Sequence, residues 1–424
     1  MTPAVLSLLI LLVCIVLFAW EPIPTCVTAV LGCIAFVVFG VCSFSSAFSG
    51  FASETIILFG SMLIVGQTLM ETGVAKVIGM RVIAMSKNNE RIFLLLSCVV
   101  SFLLSMFLAN TSVIAMFLAL VVGVCATAKE INIRNLMLPI AISAVIGGIS
   151  TIVGSTQQIV AQGIMKDLYG QGFEFFEFLR ITAPIFVVSL IYFMTFGYKQ
   201  GKRIWGDRPL PEILTEGIED SNIVAIDKRK AMLSAWIFVA AVLAFLFQIS
   251  SNAIIACSAA LLCLATRCIS VKAAQSKPCW NIVVWLAGCL GLAKGLTEAG
   301  AADLIAEALV EFCGHLDVFA LFAIVCFITM ALSTFMSSTT AMLVFLTAAL
   351  PLCSSLGYNG WAFSIGIIMS ASIVFLTPLA NGHVGMVIVA GYRFSDYVRC
   401  YWPLSIIVYV LIILIVPLWY PLVA

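Results

Sequence analysis

The sequence predicts an all-α polytopic membrane protein made of two inverted repeats. Each repeat holds five transmembrane helices plus one re-entrant helical hairpin, with interrupted helices at the midplane. Three observations carry that prediction. Of 424 residues, 63% are hydrophobic and 10% charged, with a mean hydropathy of +1.19, whereas soluble domains are nearer half apolar and about a quarter charged. The apolar residues run continuously over lengths near the ~20 that a helical span needs, and do not alternate with period two as a membrane barrel requires. The two halves also carry matching segments: Leu69-Met70-Glu71-Thr72-Gly73 returns 227 residues later as Leu296-Thr297-Glu298-Ala299-Gly300.

The apolar runs of the first half are 3–19, 24–42, 55–72, 92–128, 135–168 and 181–198. The first begins at Pro3 without a basic flank and is followed by Glu21-Pro22, so it reads as a retained span and not a cleaved signal. Run 92–128 is too long for one crossing and has a polar centre, Ala109-Asn110-Thr111-Ser112. A hairpin that dips in and returns accounts for it, because irregular backbone at membrane depth needs protein or a wet cavity around it. Run 135–168 is interrupted by Gly147-Gly148 and Gly154. The second half repeats the pattern with 231–249, 253–266, 279–297, 317–350, 360–390 and 401–420. Here the hairpin centre is Ser337-Ser338-Thr339-Thr340, and the later break is Leu376-Thr377-Pro378 through Gly382-His383.

With both hairpins re-entrant, 18 of the 21 Lys and Arg fall on one side, as the positive-inside rule demands. This places both termini outside a plasma (inner) membrane. Connection 298–317 is then external, with five acidic residues and no Lys or Arg. The repeats are 1–200 and 229–424, joined by a cytoplasmic linker, 201–228. Five crossings is an odd number, so the second copy is inverted relative to the first. Inverted repeats with broken helices at the midplane mark secondary transporters.

The composition also excludes function classes. A net charge of +1 without a basic cluster offers nothing to nucleic acid, which needs clustered Lys and Arg. The 15 Cys contain no C-x-x-C pair and read as small buried hydrophobes. Two histidines, no H-E-x-x-H and no mid-membrane Asp or Glu cluster argue against an enzyme, so no catalytic residue, cofactor or metal other than sodium is expected. The lack of mid-membrane carboxylates also favours sodium over proton coupling.

Polar residues at the four breaks are the candidates for chemistry. Ser105 lies four residues before Ala109, and Ser333 four before Ser337, a spacing that stacks side chains one turn apart. Freed carbonyls with Ser, Thr and Asn oxygens suit a dehydrated sodium ion, and helix N-termini suit an oxyanion. His383 is the one histidine in the core, placed either to contact the anion or to cap a helix. His315 reads as solvated, and Glu71 and Glu298 as interfacial caps ending their spans.

Phe44-Ser45-Ser46-Ala47-Phe48-Ser49-Gly50-Phe51, the Ala109-Asn110-Thr111 tip, Phe375-Leu376-Thr377-Pro378 and Gly391-Tyr392-Arg393-Phe394-Ser395-Asp396-Tyr397 together resemble the divalent anion:sodium symporter family. That family lies within the ion transporter superfamily, which includes citrate and arsenite permeases. The resemblance covers nearly the whole chain. It implies sodium-coupled import of small divalent anions, di- or tricarboxylates, by elevator-like alternating access; the alternative is an uncoupled exchanger or a sulfate- or arsenite-type oxyanion permease. By position it assigns sodium roles to Ser105, Ala109, Asn110 and Ser150, and to Ser333, Ser337, Ser338 and Leu376. Substrate contacts fall to Asn110, Thr111, Thr151, Ser338, Thr339, Thr377 and Pro378. It also implies a scaffold domain, often forming a homodimer, and a mobile transport domain, so the partners are a small anion, sodium, lipid and a second copy. The family's tips read Ser-Asn-Thr. Here Ala109 replaces the first serine and Ser338 the second asparagine, and a hydroxyl brings one donor where an amide brings two.

Overall fold

The computed structural model describes residues 2–20, 23–86, 89–127, 132–205, 228–276, 280–301, 317–334, 338–377 and 382–423. Ser337, Pro378, most of the 201–228 linker and most of the acidic connection, His315 included, lie outside the described residues. The first half forms α1 (Pro3–Trp20), α2 (Thr25–Val38), α3 (Glu54–Glu71), α4 (Val74–Ser86), α5 (Glu90–Ser105), α6 (Asn110–Thr127), α7 (Ile133–Gly148), α8 (Thr156–Tyr169) and α9 (Leu179–Trp205). The second forms α10 (Lys228–Leu246), α11 (Asn252–Ala265), α12 (Trp280–Glu298), α13 (Val318–Ser333), α14 (Ser338–Leu356), α15 (Gly360–Ser372), short turns at Gly382–Gly385 and Met386–Ala390, and α16 (Phe394–Trp419). The all-helical expectation holds among the described residues, and every apolar run becomes helix.

Five of these segments are long and apolar enough on their own to cross a bilayer: Glu54–Glu71, Leu179–Trp205, Arg229–Leu246, Ser338–Leu356 and Ser395–Trp419. The others are shorter apolar helices, several because the chain breaks where polar residues were expected. Among the described residues, α4, the short Val271–Ser276 and the turns Phe44–Ala47 and Ser49–Ala52 have no counterpart among the apolar runs. Lys76, Arg81 and Lys272 interrupt the hydrophobicity of the first two. α16 starts upstream of the 401–420 run because an Asp396 carboxylate oxygen accepts the Arg393 N–H at 2.8 Å, closing the first turn.

Several helices of the two halves begin with the same kind of cap. Asn89 caps α5 by accepting the Arg91 N–H at 3.0 Å, and Asp317 caps α13 through Phe319 at 3.2 Å. Asn132 caps α7 and Asn359 caps α15, each accepting an N–H at 3.0 Å. Such caps satisfy amides that a helix leaves unpaired. The matched glycines Gly73 and Gly300 both adopt positive φ, +82° and +72°, a conformation that a side chain disfavours.

Packing is reciprocal. α3 packs along α11, and α12 along α2. The latter pair approaches through small residues: a Cβ on Gly288 would stand 2.7 Å from the Ala29 Cβ, the close contact that drives helix association in lipid. In a second group α5 and α6 flank α7, α13 and α14 flank α15, and α9 packs on α16. Glu54 on α3, Lys166 on α8, Gln248 and Asn252 border one surface notch, and Glu71, Lys230 and Arg267 border another. Glu90, the first residue of α5, accepts the Asn132 N–H at 3.4 Å, just ahead of α7.

Candidate functional site

The first break is built where α5 stops. The chain turns through Met106–Ala109 and restarts at Asn110, whose Oδ1 accepts the Ser105 hydroxyl. Both side chains are buried. After α7 the chain leaves helix at Ile149 and resumes at Thr156. In that gap Thr151 Oγ1 donates to the Met106 carbonyl at 2.5 Å and accepts the Gly154 N–H at 3.3 Å. Ser150 Oγ lies 2.7 Å from Thr182 Oγ1 on α9. Gly148 is required by proximity, since a Cβ there would sit 2.2 Å from Asn110 Oδ1. The turn between Ser105 and Asn110 and the break after Gly148 are therefore packed as one unit.

The second break has the same wiring. Thr377 Oγ1 donates to the Thr334 carbonyl at 2.7 Å, and Thr334 follows Ser333 as Met106 follows Ser105. Ser338, Thr339 and Thr340 open α14, and all three are buried. The Ser333 hydroxyl is fully buried, and among the described residues it has no hydrogen-bond partner. In the first half the Gln158 side chain donates to the Ile149 carbonyl at 3.3 Å, and its Oε1 has no partner among the described residues. Buried oxygens without donors suit a cation, because an unsatisfied acceptor costs about 1–3 kcal/mol.

A cavity of about 170 Å³ opens beside the first tip, room for roughly six waters at ~30 Å³ each. Its walls are Ala109, Asn110, Thr111 and Ser112 from the start of α6, Ser155 and Thr156 from the start of α8, Phe59, Met62 and Gln67 of α3, and His383. Two helix N-termini thus face one space, each carrying about half a positive charge. The halves meet here, with Thr156 Oγ1 3.4 Å from Thr339 Oγ1.

Of the residues singled out by sequence, the structure joins Ser105 with Asn110 and links Thr151 to the turn between them, and it links Thr377 to Thr334 beside Ser333; Ser150 instead pairs with Thr182 and Thr339 with Thr156. The Ala109 carbonyl accepts the Ser112 and Val113 N–H groups, 2.9 and 3.2 Å, so it is engaged in the first turn of α6. Sequence reasoning assigned nothing to Ser155, Thr156 or the α3 wall. Ser155-Thr156 carried a signal, a polar pair opening a helix after a break; the apolar α3 residues carried none.

The family profile for citrate transporters, CitMHS, matches residues 15–324. The chain belongs to the CitMHS citrate transporter family. Transporters of this family are not enzymes, and the match bears out the superfamily resemblance and makes the chain a multi-pass membrane protein. An uncharacterized transporter of Synechocystis sp. is 29% identical over 187 residues, 44% of this chain and 30% of the relative. The sodium-dependent dicarboxylate transporter SdcS of Staphylococcus saprophyticus is 22% identical over 85% of this chain and 75% of its own length. The inorganic phosphate transporter PHO87 of Saccharomyces cerevisiae is 25% identical over 69% of this chain and 31% of its own. The chain thus spans about a third of the length of the Synechocystis and yeast relatives. Among solved structures the Alcanivorax borkumensis YdaH transporter shares the fold, with a TM-score of 0.60 at 11% identity over 89% of this chain and 88% of that one.

Proposed function

We propose that this member of the CitMHS family is a secondary active transporter that imports small divalent anions, di- or tricarboxylates, together with sodium. In this reading 1–200 and 229–424 are inverted repeats joined by a cytoplasmic linker, α5–α6 and α13–α14 are re-entrant hairpins, and both termini lie outside. α1–α3 and α10–α12 form the scaffold, through which a homodimer would assemble. The two hairpins, the broken helices, α9 and α16 form the group that moves as an elevator.

The observation that carries the proposal is the paired construction of the breaks: in each half a threonine past the break donates to the carbonyl following the hairpin serine, Thr151 to Met106 and Thr377 to Thr334. Two such units, meeting at Thr156 and Thr339, favour a site made by both repeats. Among the described residues no Lys or Arg lines the cavity, so a dianion needs accompanying cations; helix ends alone supply too little charge. The buried acceptors at Ser333 and Gln158 and the carbonyls at the breaks support sodium as that cation. Similarity to the dicarboxylate transporter SdcS supports the substrate class. The resemblance to PHO87 favours a second reading, an oxyanion permease of the same fold.

A thermal-stability screen of the purified protein tests these readings. Succinate, citrate, sulfate and phosphate are each added in sodium or in choline. Stabilisation by a carboxylate in sodium alone is the expected result; stabilisation by phosphate in both media selects the second reading, and no response to any anion contradicts both.

A further inference from the structure

We infer that the notch at the Glu71 end of α3 binds the phosphate headgroup of an anionic phospholipid, with Arg267 and Lys230 as its cations. The notch has a volume of about 610 Å³, within the ~300–1,000 Å³ typical of ligand sites. Three helix ends build it: Glu71 and Thr72 where α3 stops, Lys230 at the start of α10, and Arg267, Cys268 and Ser270 in the turn after α11. These ends are tied together. Thr72 Oγ1 lies 2.9 Å from Ser234 Oγ on α10, and Cys268 Sγ donates to the Lys230 carbonyl at 3.8 Å. Walls fixed in this way need little ordering when a ligand arrives. Among the described residues the lining holds two cations, Lys230 and Arg267, against one carboxylate, Glu71, whose Oε1 accepts from Gln67 Nε2 at 3.4 Å. Arg229 and Lys272 adjoin the lining in sequence, so the local balance is positive.

Arg267 sits where glycine is the usual choice. The turn that closes α11 runs from the Arg267 N–H to the Leu264 carbonyl and from the Cys268 N–H to the Cys263 carbonyl, both 3.0 Å, and Arg267 has φ +54°, the left-handed conformation that ends many helices. A side chain strains that backbone. What arginine adds over glycine is a planar guanidinium in the lining, the group best matched to two phosphate oxygens, and among the described residues it forms no ion pair. Exposed apolar side chains continue from the notch along two helices, Leu233, Trp236 and Val239 on α10 and Leu261 and Leu262 on α11. A phospholipid uses both features, its phosphate in the notch and its acyl chains along this surface, whereas a free phosphate uses the cations alone. The helix ends also stand at headgroup depth, where basic pockets between membrane helices hold acidic lipids.

The test reconstitutes the full chain in phosphatidylcholine vesicles holding a rising fraction of phosphatidylglycerol with brominated acyl chains, which quench nearby indoles. Trp236, 67% exposed on α10, is the reporter, and a Trp236→Phe protein gives the background from the other tryptophans. Trp236 of the parent should be quenched more strongly by brominated phosphatidylglycerol than by brominated phosphatidylcholine at the same fraction, and Arg267→Gln should lower that preference about fivefold, the value of one cation at an anionic surface. Arg267→Gly guards against a folding defect, since glycine adopts the left-handed backbone readily: it should melt no lower than the parent in lipid-free detergent and still lose the preference. No preference in the parent, or the same preference in parent and both variants, overturns the inference. Inorganic phosphate, against chloride at equal ionic strength, should leave the quenching unchanged; displacement of the lipid would assign the notch to a soluble phosphate and overturn the lipid assignment. No uptake is measured, so failure here leaves the transporter reading intact.

Discussion

Adding one methyl group at Gly148 separates a tip that merely packs from a tip that holds an ion. In Gly148→Ala the new Cβ would lie 2.2 Å from Asn110 Oδ1 and 2.7 Å from Nδ2, whereas ordinary contact begins at 3.4 Å. The amide must withdraw by about 1.2 Å, and it is buried and engaged by the Ser105 hydroxyl. Hydrogen bonds and ligand contacts do not survive such a displacement. Loss of one oxygen contact to a charged group costs about 1.5–3 kcal/mol, which is roughly ten- to hundredfold in the sodium concentration that half-saturates uptake. Gly60→Ala is the control, because its nearest neighbour would be Trp280 at 3.5 Å and alanine strengthens a helix by about 0.5–1 kcal/mol. The assay is sodium-dependent uptake in proteoliposomes with protein amount and folding matched. Equal sodium requirements in Gly148→Ala and the parent would refute the reasoning that Asn110 works at an ion site.

The wiring of the two breaks leads to further expectations. Thr151→Val and Thr377→Val each leave a buried carbonyl without its donor and should cost about 1–3 kcal/mol, read as comparable losses of denaturation midpoint; a loss confined to one half would argue against equivalent units. Asn110→Ala should raise the sodium requirement and Thr377→Ala the substrate requirement, and identical kinetic signatures would remove the division of roles. Lys166→Met breaks a 2.6 Å pair with Glu54 between exposed side chains, so stability should change by less than about 1 kcal/mol; unfolding of the variant would show that the pair does more. A reporter active only in the cytoplasm should be silent when fused at Ala424, and a bright signal there contradicts the proposed orientation.

Much of this architecture is readable from the sequence because membrane burial imposes strong local rules. A run as long as 92–128 with Asn110-Thr111-Ser112 at its centre has few solutions, and the structure indeed breaks there, between Ser105 and Asn110. The glycines of the 147–154 break were legible for the same reason. What escaped depends on elements far apart in the chain. Thr156 meets Thr339 across 183 positions, Ser150 meets Thr182, and Phe59, Met62 and Gln67 form a wall whose facing partner no local pattern reveals. His383 follows the second break in sequence yet lines the cavity of the first tip, a placement set by how the halves pack. α4 was missed because period-based reading follows continuous hydrophobicity, and Lys76 and Arg81 interrupt it.

Sodium-coupled entry of a divalent anion is tested most directly by uptake into proteoliposomes under imposed gradients. Radiolabelled succinate is supplied outside, with either an inward sodium gradient or an inward proton gradient, and the membrane potential is clamped or inside-negative. Accumulation driven by sodium is the expected result, and it should increase at inside-negative potential if sodium charge exceeds substrate charge, since each net charge moved is worth about 2.3 kcal/mol per 100 mV. Accumulation driven by the proton gradient alone, indifferent to sodium, would contradict the account.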